Sequence, residues 1–498
     1  MTGGADYDVL IVGAGPVGVA LAVMLGQQGV RVLVAEKAME IYPLPRAAHV
    51  DHEIVRLFQS MGLADQIMAT SRTTTQYDFL TAAGEVLMRF DLGGVKTPSG
   101  WPASNMIHQP SIEAALRAAL AQCPAARLKS GWTLEHFTDH DDGVIAHFTT
   151  ADGPQQVRAR YLIGCDGARS TVRAQSQINF LDLAFDEPWL VVDTIVHDES
   201  RLPTKNLQIC DPARPTTCVL MGSGRHRWEF MLKPGEEPDD VTRADFVTAL
   251  LAPWKVEGAV SIERMAVYRF HALIAQDWRK GRILLAGDAA HQMPPFAGQG
   301  LCSGLRDAAN LAGKFGTIIR DGASDRLLDS YQMEREPNVR GIIAMAMMMG
   351  QTVCILDPEK AAQRDQMMLA ARAAGGGPPP APAYPPIDAG CILAGTAAAG
   401  TYFPQPWAQG PAGPIRLDDV LGPGAWLIGR AAAALPPNDR ITSLSLDDPR
   451  LAPFKPELSH WLDAHSADAV MVRPDRYIFG TGASDKLSSE WRSSQFGS

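Results

Sequence analysis

Gly13, Gly15 and Gly18 stand between a β-rich run, YDVLIV (7–12), and an apolar helical pattern, VALAVMLGQQG (19–29). At this spacing the first glycine permits a tight turn. The second lets a pyrophosphate approach bare backbone, and the third lets the helix pack closely on the strand. Phosphate charge then faces the helix N-terminus. A second strand, VRVLVAE (30–36), ends in Glu36. Its carboxylate suits ribose hydroxyls and repels a 2′-phosphate. The unit reads as a dinucleotide site and leaves the choice between NAD and FAD open.

A second bare stretch lies more than 250 residues on: GRILLAGDAAHQMPPFAGQG (281–300). A strand ends at Gly287-Asp288. Pro294 and Pro295 fix the path that follows, and Gly298 and Gly300 remove side chains where a flat ring could lie. A helix is expected to begin near Leu301. Its N–H groups would face a ring edge that gains negative charge on reduction. Two segments so far apart make sense if one long cofactor lies extended between them. A third cluster, CDGARSTVR (165–173), places Asp166-Gly167 at a strand end. Taken alone, an Asp-Gly turn capping a helix would account for it.

The elements that must carry these groups follow from the patterning. The first 174 residues read as strand–helix–strand with further helices at 50–69 and 108–123. Residues 175–275 change to short β-rich runs with turns and are expected to form a sheet domain. Helical patterns return through 353. Residues 373–388, AAGGGPPPAPAYPPID, are too rich in Gly and Pro for a regular element. The expected division is a discontinuous cofactor domain (1–174 and 276–372), the sheet insert (175–275), the linker (373–388) and a separate domain (389–498). The 46% hydrophobic and 20% charged residues are ordinary for a globular chain, and the net charge of -10 excludes a nucleic-acid footprint. Seven cysteines without a CxxC pair fit neither a zinc site nor a redox pair, and point to a reducing compartment. No basic leader and no apolar run of membrane length is seen, so a cytoplasmic location without a membrane span is expected. No metal site is expected.

Together the three motifs resemble those of the class A flavoprotein aromatic hydroxylases. MPPFAGQGLCSGLRDAANLAGK and PRAAHVDHEIVRLFQSMGL look closest to the 3-(3-hydroxyphenyl)propionate hydroxylase branch. The resemblance covers roughly residues 5–370. It implies an α/β, p-hydroxybenzoate-hydroxylase-like fold: a Rossmann-type FAD domain, an inserted β-sheet substrate domain and a C-terminal thioredoxin-like domain. It implies FAD as cofactor, NADH or NADPH as reductant, O2 and a small aromatic substrate, and a homodimer. Reduced flavin and O2 would give a C4a-hydroperoxide that hydroxylates a phenol ring. Gly13, Gly15, Gly18, Glu36, Asp166, Gly287, Asp288, Gly298, Gly300 and Leu301 would then hold FAD.

Residue by residue, the resemblance assigns Arg46 to cofactor positioning and nicotinamide use, Gln109 to an FAD contact and Arg117 to the pyrophosphate. It sets Pro295 beside the reacting region. His49 follows the Arg46 loop and could face the ring and take a phenol proton. On the sheet expected to roof the ring, Arg225, His226, Trp228 and Tyr268 are the substrate candidates. His291 is expected to be structural, and the Met345–Met349 stripe to be helix core. Baeyer–Villiger insertion and epoxidation on the same fold stay open, as does a binding protein that has lost catalysis. Halogenation lacks its GWxWxIP signature here.

Overall fold

The computed structural model describes residues 5–375, 384–410, 413–431 and 441–496. Tyr7–Val12, the strand expected from the β-rich run, lies buried at the centre of the first sheet. It pairs in parallel with Val32–Glu36 on one side and Gly153–Gly164 on the other. Ala126–Ser130 and Ile283–Leu285 extend the two flanks, also in parallel. Strands buried on both faces need continuous apolar runs, and Val9, Leu10, Ile11, Leu162 and Ile163 supply them.

Helix Pro16–Gln27 crosses between the first two strands, with Pro16 at its first turn. Gly18 makes that crossing close. A Cβ there would lie 2.1 Å from the Gly13 carbonyl oxygen. The long helices Gly300–Asp321 and Ser330–Val353 cover the sheet, and Pro358–Ala373 follows.

The second sheet has eight strands, in the order His291–Gln292, Val260–Ala275, Phe180–Val196, Arg225–Met231, Thr216–Leu220, Asn206–Ile209, Gln76–Leu80 and Val86–Asp91. Its last two strands come from well before residue 175. Gln76–Leu80 joins by a parallel pairing with Asn206–Ile209. The sheet expected from 175–275 alone is therefore wider than that segment.

One face of this sheet is closed by Val241, Val247 and Leu251 of two short helices, packed on Leu190, Val192, Cys218, Trp228 and Phe230. The opposite face looks into the molecule. Because side chains alternate along a strand, neighbours on Arg225–Met231 go to different environments.

Near the C-terminus a four-stranded sheet runs Thr442–Ser445, Trp426–Gly429, Ala469–Val472, Ile478–Gly482. The first pair is parallel and the others antiparallel. Its own core includes Phe403, Leu417, Trp426, Ile428, Leu458 and Val470. Most of the Gly/Pro linker falls outside the described residues. Its end, from Tyr384, runs without regular structure. All seven cysteines are free thiols. Among the described residues no single helix is long and apolar enough to cross a membrane.

Candidate functional site

The three motifs open onto one cavity of about 1770 Å³ between the two large sheets. At one end lie Gly13, Gly15, Glu36 and Arg117. Gly15 precedes helix Pro16–Gln27, and no side chain caps that helix. Its first N–H groups stay available for a ligand. A Cβ on Gly15 would point into open space, whereas Gly13 turns at φ +103° with the Cys165 carbonyl against it. Glu36 accepts hydrogen bonds from the Ala14 and Ala38 N–H groups at 2.7 and 2.8 Å. These pin its carboxylate at the rim and leave lone pairs for sugar hydroxyls. Arg117 donates to the Ala14 carbonyl, and its Nε is buried without a partner. A guanidinium at the cavity wall beside a glycine turn suits a pyrophosphate.

Midway, Asp288 lines the cavity, and no hydrogen bond to its carboxylate is made by the described residues. It is open to the cavity but enclosed by protein. Burial pushes its carboxyl up, partly opposed by His291 and Arg46. Both observations suit an acceptor waiting for hydroxyl donors. Gly287 departs from the expectation. It is buried at φ +62°, its N–H donates to Asp307, and its missing side chain makes room for Val17 rather than for a ligand. Gly18 likewise serves helix packing and does not line the cavity.

Asp166 does line the cavity, but its carboxylate is spent on capping. It accepts from Ser170 Oγ at 2.5 Å and from the Thr171 and Val172 N–H groups. Burial still pushes this carboxyl up. Gln109 braces the Arg46 loop. Its Oε1 accepts from Ala47 N–H at 2.7 Å and its Nε2 donates to Glu113. Arg46 is exposed within the cavity wall, 5.4 Å from the Tyr42 ring centroid.

The far end is built as the Pro/Gly path requires. Pro295–Ala297 forms a single 3-10 turn closed by Gly298 at φ +63°. Helix Gly300–Asp321 then starts without a side-chain cap, with Gly300 and Leu301 at the cavity wall. His49 stands against this turn, its Nδ1 3.1 Å from the Gly298 carbonyl oxygen. Donation from Nδ1 leaves Nε2 as the acceptor. Burial lowers the His49 pKa, so the ring stays neutral.

Beyond that turn the cavity continues against the second sheet, and here the substrate candidates need correction. Tyr268 faces the cavity and accepts from Arg264 Nη1 at 2.9 Å. His226 and Trp228 do not. Their rings lie tilted, with centroids 4.2 Å apart, on the opposite face, in the core under the short helices. Arg225 is ion-paired with Glu263 and also lies off the cavity. The strand's alternation sends Arg227 and Glu229 inward instead.

Arg227 Nε donates to Asp193 at 2.6 Å, and its Nη groups donate to the Arg46 and Pro45 carbonyls, both at 2.8 Å. Gln208, Thr217 and Tyr77 complete the polar wall. Thr217 donates to Gln208, which donates to the Tyr77 hydroxyl. Tyr77 in turn reaches the Phe296 carbonyl at 3.4 Å. Strand parity, read from Cys218 and Trp228 as core positions, was the signal that could have found these residues. Met345 and Met349 also line the cavity, so the methionine stripe is more than helix core. His291 pairs with Asp307 at 2.7 Å in the interior.

The cavity thus offers two uncapped helix N-termini, an arginine and an unpartnered carboxylate, and these residues fit an extended FAD. Residues 6–346 match the family described as FAD binding domain, and the chain belongs to that family. It is an FAD-dependent enzyme.

The chain is 37% identical over 496 residues to a probable NADH-specific resorcinol 4-hydroxylase of Rhodococcus jostii (strain RHA1), covering 95% of this chain and 91% of the relative. It is 34% identical over 524 residues to a 3-(3-hydroxy-phenyl)propionate/3-hydroxycinnamic acid hydroxylase of Mycobacterium sp. (strain JLS), covering 95% and 89%. Among solved structures, it resembles the flavin-dependent monooxygenase PieE in complex with FAD and substrate (TM-score 0.81, 23% identity, 98% of both chains). It also resembles aklavinone-11 hydroxylase with FAD and aklavinone (TM-score 0.79, 23% identity, 99% of this chain and 100% of the other). At that identity the two structures establish the fold.

Proposed function

We propose that this enzyme is a monooxygenase that uses NADH and O2 to hydroxylate a phenolic ring. The observation that carries the proposal is the continuity of the cavity. It runs from the glycine turn, past Asp288 and the Pro295–Leu301 path, into a chamber walled by Tyr77, Phe270, Tyr268 and Glu229. Hydroxylase names among the relatives support the reaction class. Bound FAD supplies the redox chemistry: reduced by the nicotinamide, it lets O2 deliver one atom to an electron-rich ring. Gly15, Glu36 and Arg117 hold its diphosphate and sugar, Asp288 its hydroxyls, and Gly298–Leu301 the ring edge.

In this reading the protein positions the phenol and moves one proton. His49 Nε2, neutral and with Nδ1 anchored, accepts the phenol proton and makes the ring more nucleophilic. The walls exclude water from the oxygen transfer. Baeyer–Villiger insertion lacks a comparable observation in its favour.

The domain division (1–174 with 276–372, 175–275, 373–388, 389–498) is proposed with the sheet widened by residues 76–91. The strand order near the C-terminus supports the thioredoxin-like assignment of 389–498. A homodimer and a cytoplasmic location complete the proposal. Free thiols support the latter, and sedimentation velocity measures the former.

The test is anaerobic stopped-flow reduction of the flavin at 450 nm by NADH and NADPH, with a panel of phenols. Many-fold acceleration by one phenol, followed by hydroxylated product in air, is expected. A flavin that neither nucleotide reduces, with or without phenols, overturns the proposal.

A further inference from the structure

Glu229 lies on the cavity face of the second sheet and is 6% exposed. No hydrogen bond to its carboxyl comes from the described residues. Its nearest cation is Arg227, whose Nη1 is 3.7 Å away. Burial pushes its carboxyl up, against the pull of Arg227. A buried acceptor left without a donor costs stability unless a ligand satisfies it.

The cations around it are committed elsewhere. Arg227 serves Asp193 and the Pro45 and Arg46 carbonyls. Arg264 donates to Tyr268, its Nη2 lies 2.6 Å from Asp193, and its Nε and Nη2 are sealed from the cavity. Arg46 belongs to the cofactor side, in the fields of Asp288 and Glu113. Arg269, farther along Val260–Ala275, also lines the cavity and pairs with Asp186, so among the described residues beside Glu229 the sheet presents no free arginine fork for a carboxylate. It presents an acid.

The same acid shares a chamber with the reacting end. Glu229 acts on the Tyr77 hydroxyl electrostatically, and Tyr77 reaches the carbonyl of Phe296, next to Pro295. A small ring lying beside Pro295 would have its remote substituent within the reach of this wall.

We infer that Glu229 is the specificity-determining residue of the sheet face, and that it selects a neutral ring with a second hydroxyl, a dihydroxybenzene, over a phenol that carries a carboxylate. The inference rests on the hydroxylase reading above. The second hydroxyl donates to Glu229, whereas a carboxylate at that position would meet repulsion with the adjacent Arg227 and Arg264 already committed.

The test is titration of the FAD-loaded enzyme, followed by the flavin spectrum, with resorcinol, phenol and 3-(3-hydroxyphenyl)propionate. Wild type is expected to bind resorcinol at least about tenfold more tightly than the other two. Glu229→Leu should collapse that ratio towards one. Glu229→Gln, which removes charge but keeps an acceptor, should retain the preference over phenol and narrow the gap to the propionate. The Gln variant and the wild-type ordering decide the matter if the Leu variant fails to retain FAD. Tightest binding of the propionate by wild type, a preference over phenol unmoved in Glu229→Leu, or a gap to the propionate unmoved in Glu229→Gln, overturns the inference while the hydroxylase reading stands. If none of the three perturbs the flavin or speeds NADH oxidation, the hydroxylase reading falls and the inference with it.

Discussion

At Gly298 a left-handed backbone and a crowded neighbour coincide. With φ +63°, an added Cβ would sit 3.1 Å from both Cβ and Nδ1 of His49. The left-handed conformation alone costs a non-glycine residue about 1–2 kcal/mol. Gly298→Ala is therefore expected to lower Tm and to displace His49, reducing kcat more than FAD content. Equal loss of both would refute the His49 role. His226 makes a different prediction. Burial, helped by Arg72, lowers its pKa to about 3. An unfolded His titrates near 6.5, so the unfolded chain gains a proton first as pH falls. The stability from His226 is full above about pH 6.5 and drains away towards pH 3. In thermal melts between pH 7 and 4, His226→Gln should flatten the slope of Tm against pH. The glycines at 13, 15 and 18 were legible because each turn constraint is local. His226 and Trp228 were misplaced because the apolar parity of RHRWEFM was given to the ring, whereas it packs under the short helices and the charged parity of Arg227 and Glu229 faces the site.

The strand Arg225–Met231 does two jobs at once, and the loop before His49 depends on it. Through Arg227 it holds the Pro45 and Arg46 carbonyls, and Asp193 on the next strand fixes Arg227. Arg264 shares the same carboxylate. Asp193→Asn would leave two buried arginines short of a counter-charge, a loss of about 3–5 kcal/mol by comparison with other broken buried pairs. It should also slacken the Arg46 loop, so the expected kinetic signature is slower flavin reduction by NADH. A stable variant with a normal reduction rate would show that the loop is held by Gln109 alone. The strand–turn–helix units carrying the cofactor residues could be read from the chain, because strand, turn and helix follow one another directly in sequence even where the strands pair with distant partners. The parallel joining of Gln76–Leu80 to Asn206–Ile209 could not, since nothing in either run specifies so distant a partner.

Across the whole molecule, the C-terminal region is bound to the rest by buried charge. Arg56 and Arg476 share Asp418 at 2.6 and 2.9 Å, and Glu334 is shared by Lys314 and Arg473. Burial alone would raise the Glu334 carboxyl, but Arg473 and Lys314 outweigh it and hold it well below the usual carboxylate range. Its contribution is thus present above the unfolded carboxylate pKa and is lost as pH falls through the folded one. Asp418→Asn is expected to cost about 3–5 kcal/mol. Limited proteolysis should then release a C-terminal fragment at a temperature where the wild type resists. Simultaneous loss of the whole chain would show instead that the regions melt as one. Helix Pro358–Ala373 ends where the Gly/Pro composition begins. Ionic locks across that stretch were not legible, because Arg56 and Asp418 lie 362 positions apart.

Those locks have a consequence for ancestry. Thr401, Tyr402 and Tyr384 line the cavity, and Arg56 and Glu334 each bury a charge against the C-terminal region. Deleting this tail would open the chamber wall at Thr401 and Tyr402 and remove one partner each of Arg56 and Glu334, the latter keeping Lys314. A shorter descendant would need another cover for the chamber, so replacement of that wall should precede the deletion in any reconstructed branch.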